Sequence, residues 1–96
     1  MEWNDNTEIS WKCNNWYERP DGLIEIVEFN GEKILLNNKL KDVWIAINYE
    51  ATVEQVWNQV KEKMSRPDYL EILRVMEYMN LITASNMNDL FDQIFS

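Results

Sequence analysis

Residues 23–29, LIEIVEF, alternate strictly: Leu23, Glu25, Val27 and Phe29 share one face, and Ile24, Ile26 and Glu28 the other. A period of two is that of a strand. Asn30-Gly31 follows, the dipeptide that favours a type I′ hairpin turn because both central residues need positive φ, and EKILLN (32–37) reads as the returning strand. Upstream, EISWKC (8–13) also alternates, with Ile9 and Trp11 on one side, and PDG (20–22) supplies a turn between the two. These segments predict a three-stranded antiparallel meander.

After Asn37 the period changes. Asn38 is placed to cap a helix whose apolar stripe is Leu40, Val43, Trp44 and Ile47. INYEA interrupts it. Thr52 and Gln55 then match a capping box ahead of Val53, Val56, Trp57 and Val60. Ser65-Arg66-Pro67-Asp68 closes that helix and opens a third, with Pro67 suited to a first turn and Tyr69, Ile72, Leu73, Met76 and Met79 as the stripe. NLITASN breaks the pattern again, with room for a short extended piece, and MNDLFDQIF (87–95) predicts a short C-terminal tail helix. The expected fold is therefore α+β and winged-helix-like, a three-stranded antiparallel sheet followed by three helices. The whole chain, 1–96, reads as a single domain with its core at about 8–82 and a C-terminal extension over 83–96.

Composition narrows the function classes. The 96 residues suffice for one core, with 46% hydrophobic and 27% charged residues. No apolar run approaches the roughly 20 residues of a membrane span, and the opening MEWNDNTEIS has neither a basic nor an apolar signal region, so a cytoplasmic location without membrane association is expected. Nine Lys/Arg against seventeen Asp/Glu give a net charge of −8. Nucleic-acid affinity rests on neutralising phosphates, and KEKMSR (61–66), with three positive charges, is a weak patch. No nucleic-acid partner is expected.

Catalytic parts are missing. The chain has no His, so neither a Ser/Cys–His pairing nor a histidine base is available, and a lone Cys13 with no His argues against zinc. Gly22 and Gly31 are the only glycines, too few for a phosphate-cradling loop. The chain is not expected to be an enzyme, and no catalytic residue, metal or cofactor is assigned.

A meander leaves EKILLN at the sheet edge. Ile34-Leu35-Leu36 carries no charge, and Lys33 stands only at its start. Such an edge offers unpaired N–H and C=O groups to an added strand, with side-chain pockets giving selectivity. The bland reading is that Leu35 or its neighbours simply face the core while the tail helix covers this edge. On the third helix, Leu70, Val75 and Tyr78 lie beyond the core stripe beside Glu71, Arg74 and Glu77, which fits either a broad buried face or the wall of a groove. Arg74 is spaced to pair with Glu71 or Glu77 on its own helix, or to hold an acidic ligand side chain.

The span from about Leu23 to Ile82 resembles the PqqD-like domains, the peptide-binding chaperones also called RiPP recognition elements. The likeness is carried by the hairpin EFNGEKILLN ending in Leu36-Asn37, by Val43-Trp44, by YEATVEQVWNQV, and by Tyr78-Met79-Asn80-Leu81-Ile82, where Asn80 stands at a position often held by Gly. The Trp-rich N-terminus and residues 83–96 depart from it. The resemblance implies three strands and three helices that bind the leader segment of a ribosomally synthesised precursor peptide as an added strand. It implies presentation of that precursor to a tailoring enzyme such as a radical-SAM enzyme, a cyclase or a leader protease. Carried onto this chain, the peptide-binding residues are Lys33, Ile34, Leu35 and Leu36 on the strand and Leu70, Glu71, Arg74, Val75 and Tyr78 on the helix. Two rivals remain. A winged-helix DNA-binding regulator requires a basic third helix, yet residues 67–82 hold Arg74 against three acidic residues. An acidic inhibitor or immunity-type protein requires acidic residues gathered on one face.

Overall fold

The computed structural model describes residues 3–85. The fold is α+β, in the order β1 (Glu8–Trp11), β2 (Trp16–Glu18), β3 (Ile24–Val27), β4 (Lys33–Leu36), α1 (Asn38–Ile47), β5 (Glu50–Thr52), α2 (Val53–Val60), α3 (Arg66–Tyr78) and β6 (Ile82–Ser85). The strands form two antiparallel three-stranded sheets, β5-β1-β6 and β2-β3-β4.

This corrects the expected single meander. The alternating segment EISW is a strand, but it pairs with β5 and β6 rather than with the hairpin. Its expected place beside β3 is taken by β2, a three-residue strand, Trp16-Tyr17-Glu18, too short to show a period. The interruption INYEA runs into β5, and the extended piece after the third helix is β6. Residues Thr83 to Ser85 are thus paired with β1. The expected tail helix over 87–95 lies outside the described residues.

Both hairpins turn in the same way. Gly22 N–H donates to Arg19 C=O and Arg19 N–H to Leu23 C=O; Gly31 N–H donates to Glu28 C=O and Glu28 N–H to Glu32 C=O. Each loop has three residues and ends on a glycine at φ +86°. Only glycines carry positive φ in these loops, so Asn30-Gly31 does not form the expected type I′ turn. It follows the other short hairpin solution, a turn closed by a left-handed glycine. Asp21 and Asn30 carboxamide or carboxyl oxygens accept from the residue two positions on, Leu23 N–H at 3.1 Å and Glu32 N–H at 3.0 Å.

Helix starts follow local chemistry. Asn37, one residue before the expected cap, accepts from Leu40 N–H and is the N-cap of α1. Thr52 and Gln55 form the reciprocal capping box at 3.1 and 2.9 Å. Ser65 caps α3, with Pro67 in its first turn. That helix ends in a Schellman motif: Leu81 N–H reaches Met76 C=O, Asn80 N–H reaches Glu77 C=O, and Asn80 sits at φ 61°. A Gly-favouring position is therefore filled by the next most tolerant residue. Met79 is the C-cap and exposed, not part of the buried stripe.

The core gathers Ile9 from β1, Ile24 and Ile26 from β3, Leu36 from β4, Val43, Trp44 and Ile47 from α1, Val53 and Val56 from α2, Tyr69, Leu73 and Met76 from α3, and Leu81 and Ile82. Helix α1 packs against strands of both sheets. Aromatic residues complete the seam. Trp11 stacks on Trp44 (centroids 4.9 Å apart), packs on Tyr49 at 4.8 Å, meets Trp16 edge-on at 5.3 Å, and donates from Nε1 to Trp44 C=O at 3.0 Å. One ring from each sheet thus converges on one helix. Such contacts add stabilisation beyond area burial.

Candidate functional site

Register fixes the direction of every backbone group on β4. The pairs are Ile24 with Leu36, Glu25 with Leu35, Ile26 with Ile34 and Val27 with Lys33. The Glu28–Glu32 hydrogen bond marks that pair as a bonded one. Bonded and non-bonded pairs alternate along an antiparallel ladder, so Ile26–Ile34 and Ile24–Leu36 are bonded as well. On the other side of β3, Val27 N–H donates to Asn15 C=O, in agreement with this phase. It follows that Lys33 and Leu35 direct their N–H and C=O groups away from β3. Among the described residues no strand pairs with that side of β4, so it is an open edge.

Side chains follow the same alternation. Leu36 is buried and Ile34 half-buried toward the core, while Lys33 and Leu35 are exposed on the outer face, Leu35 at 48%. None of the ion pairs among the described residues includes Lys33. The strand half of the expected site therefore divides into two outward-facing residues, Lys33 and Leu35, and two core-facing ones, Ile34 and Leu36.

The helix half divides. Helix α3 buries Tyr69, Ile72, Leu73 and Met76. At about 100° per residue, Glu71, Arg74 and Tyr78 point directly away from this stripe, and all three are exposed, Tyr78 at 89%. Arg74 pairs with Glu71 at 3.5 Å. Leu70 and Val75 are both half-buried, but they lie on opposite flanks, about 140° apart around the helix. Leu70 shares its flank with Arg66, which pairs with Asp5 at 3.0 Å and lies over the Trp57 ring at 5.2 Å. Val75 shares the other flank with Asp68, and Asp68 pairs with Lys39 at 3.5 Å. Lys39 is in the first turn of α1, which follows β4 directly. Of the five helix residues, Val75 thus shares the flank whose Asp68 meets α1, Leu70 faces the α2 side, and Glu71, Arg74 and Tyr78 face outward.

Sequence reasoning missed a cavity of about 830 Å³ at the β3–β4-turn end of the second sheet. Its lining comes from the β1–β2 turn, the β3–β4 turn and the end of α3, including Cys13, Asn15, Phe29 and Asn80. The Cys13 thiol lies 3.3 Å from Val27 C=O. None of the expected peptide-binding residues lines this cavity. Four asparagines in it are separated by up to 66 positions in sequence, so no local motif announces it.

Among the described residues no cluster of three or more His, Cys, Asp or Glu is arranged to hold a metal, and no helix is long and apolar enough to cross a membrane. Comparison with family models, with characterised proteins and with solved structures finds no match to this chain, and so lends the PqqD-like resemblance no support.

Proposed function

We propose that this protein binds an extended peptide by strand addition at β4. The observation that carries the reading is the outer edge of β4, unpaired among the described residues, with Lys33 and Leu35 turning N–H and C=O groups outward. A guest strand exchanges hydrogen bonds with these two residues, and its side chains lie beside Leu35 on one face and beside Ile34 and Leu36 on the other. In this reading α1, α2 and α3 with the β3–β4 hairpin make a winged-helix-like unit, the hairpin being its wing. The guest is the leader segment of a ribosomally made precursor, and the module hands it to a tailoring enzyme without doing chemistry itself. A cytoplasmic location follows from that role.

Energetics are compatible with capture and release. Ordering a disordered guest costs about 2–5 kcal/mol, and each buried aliphatic anchor contributes roughly 1.5–3 kcal/mol. Two or three anchors together with backbone bonds reach the micromolar range, about −8 kcal/mol. The test is titration of the protein into a fluorescein-labelled leader peptide encoded beside its gene, read by anisotropy. Saturable binding that Leu35→Pro abolishes is the expected result. Binding that Leu35→Pro leaves intact, or no binding, refutes the assignment.

A further inference from the structure

Across the outer face of the second sheet, Tyr17, Glu25 and Leu35 stand in one row, paired in register from β2 to β3 to β4. Tyr17 and Leu35 are each about half exposed, at 47% and 48%. Glu25 between them is half-buried, and its Oε2 is shielded from solvent without any hydrogen-bond partner. None of the ion pairs among the described residues includes it, although Lys33 is its diagonal neighbour on β4. A carboxyl oxygen that has lost water and gained no donor is an uncompensated group, and such groups call for an explanation.

Among the described residues no strand continues the row beyond β4. A strand added at β4 sets one residue opposite Leu35, its side chain on this same outer face, about 10 Å from β3 at two strand spacings. A short side chain there meets only Leu35. A Lys or Arg side chain lays its aliphatic stem over Leu35 and carries its charged head toward Glu25. Charge complementarity points the same way: the chain carries −8.

We propose that the β4 edge selects extended peptides carrying Lys or Arg at the position opposite Leu35, with Glu25 as the acceptor for the cationic head. This rests on the strand-addition reading and adds to it the chemistry of the guest. Three labelled seven-residue peptides of alternating Thr and Val, differing only in a central Lys, norleucine or Glu, test it by anisotropy at physiological salt. The Lys peptide is expected to bind about tenfold more tightly than the norleucine peptide, the gain of one hydrogen bond to a charged group, and the Glu peptide most weakly. Glu25→Gln collapses the Lys-to-norleucine ratio to about one, and Glu25→Lys inverts the order of the Lys and Glu peptides. Equal binding of the Lys and norleucine peptides to the wild type overturns the inference. So does a Lys preference that Glu25→Gln leaves in place, which is net charge acting at a distance. If all peptides bind Leu35→Pro as they bind wild type, strand addition itself fails, whatever their order. If no peptide binds, and Leu35→Pro converts a wild-type dimer to monomer in sedimentation, the edge belongs to a second copy and the basic guest is overturned. If no peptide binds and the chain is monomeric, both readings fall.

Discussion

Proline at two adjacent positions of β4 separates the ladder from the open edge. Ile34 N–H belongs to the bonded pair with Ile26, in which the Ile26 carbonyl is its partner. Ile34→Pro removes that bond and leaves the carbonyl of a buried residue unsatisfied, about 1–3 kcal/mol. It also gives up part of a half-buried side chain that packs on the core, roughly another 1 kcal/mol. The sum is about 3 kcal/mol. Leu35→Pro removes an N–H with no partner in the ladder and a side chain that is half in water, so its cost is about 1 kcal/mol or less. With a urea m-value of about 1.5 kcal/mol/M for a domain of this size, Ile34→Pro lowers the unfolding midpoint by roughly 2 M and Leu35→Pro by less than about 0.7 M. Urea titration followed by tryptophan emission reads both, because Trp16 on the same sheet packs against Trp11 and Trp44. Equal destabilisation, or the reverse order, refutes the backbone phase assigned to β4 and the docking edge with it.

Other outcomes follow from single contacts. Burial pushes the Tyr69 phenol above its ordinary value, with the Arg66 charge opposing and Asp5 adding to the shift. The unfolded chain releases this proton near pH 10 while the folded chain keeps it, so stability is full below about pH 10 and falls as pH rises beyond it. Tyr69→Phe removes that alkaline component and, through the lost 2.7 Å bond to Val53 C=O, costs about 1 kcal/mol at neutral pH; thermal melts from pH 7 to 11 show both. Gly31→Ala places a side chain at φ +86° with open space around it, so only backbone strain acts, about 1 kcal/mol by urea titration. Arg74→Glu alters an exposed pair on the outward face of α3 and shifts stability by no more than about 0.5 kcal/mol. It leaves capture at β4 unchanged, and a loss of peptide affinity in that variant would move the site to the outer face of the helix.

Much of this fold is written in short stretches. The capping box at Thr52-Gln55, the Pro67 start, the β3–β4 hairpin and the buried stripes of α1 and α3 each depend on residues within a few positions of one another, so local chemistry specifies them. The hairpin partner of β4 was legible for the same reason, and among the described residues β4 stands at the edge of its sheet, as a meander places its last strand. The row of Tyr17, Glu25 and Leu35 was not legible, because it draws one residue from each of three strands and one of those strands has only three residues.

Alternation tells a strand which of its faces is wet, and is silent about which strand lies beside it. Ile9 and Trp11 were correctly placed on one side of an extended segment, yet β1 found its neighbours at Glu50–Thr52 and Ile82–Ser85, some 40 and 70 positions on. That pairing is settled by where α1 and α3 deliver the chain and by the closing of Trp11 onto Trp44 and Tyr49, contacts that exist only after the helices have packed. The division of the α3 residues between two flanks has the same origin. Helical spacing names the outward and inward sides, and only the ion pairs Lys39–Asp68 and Arg66–Asp5 show which flank meets which neighbour.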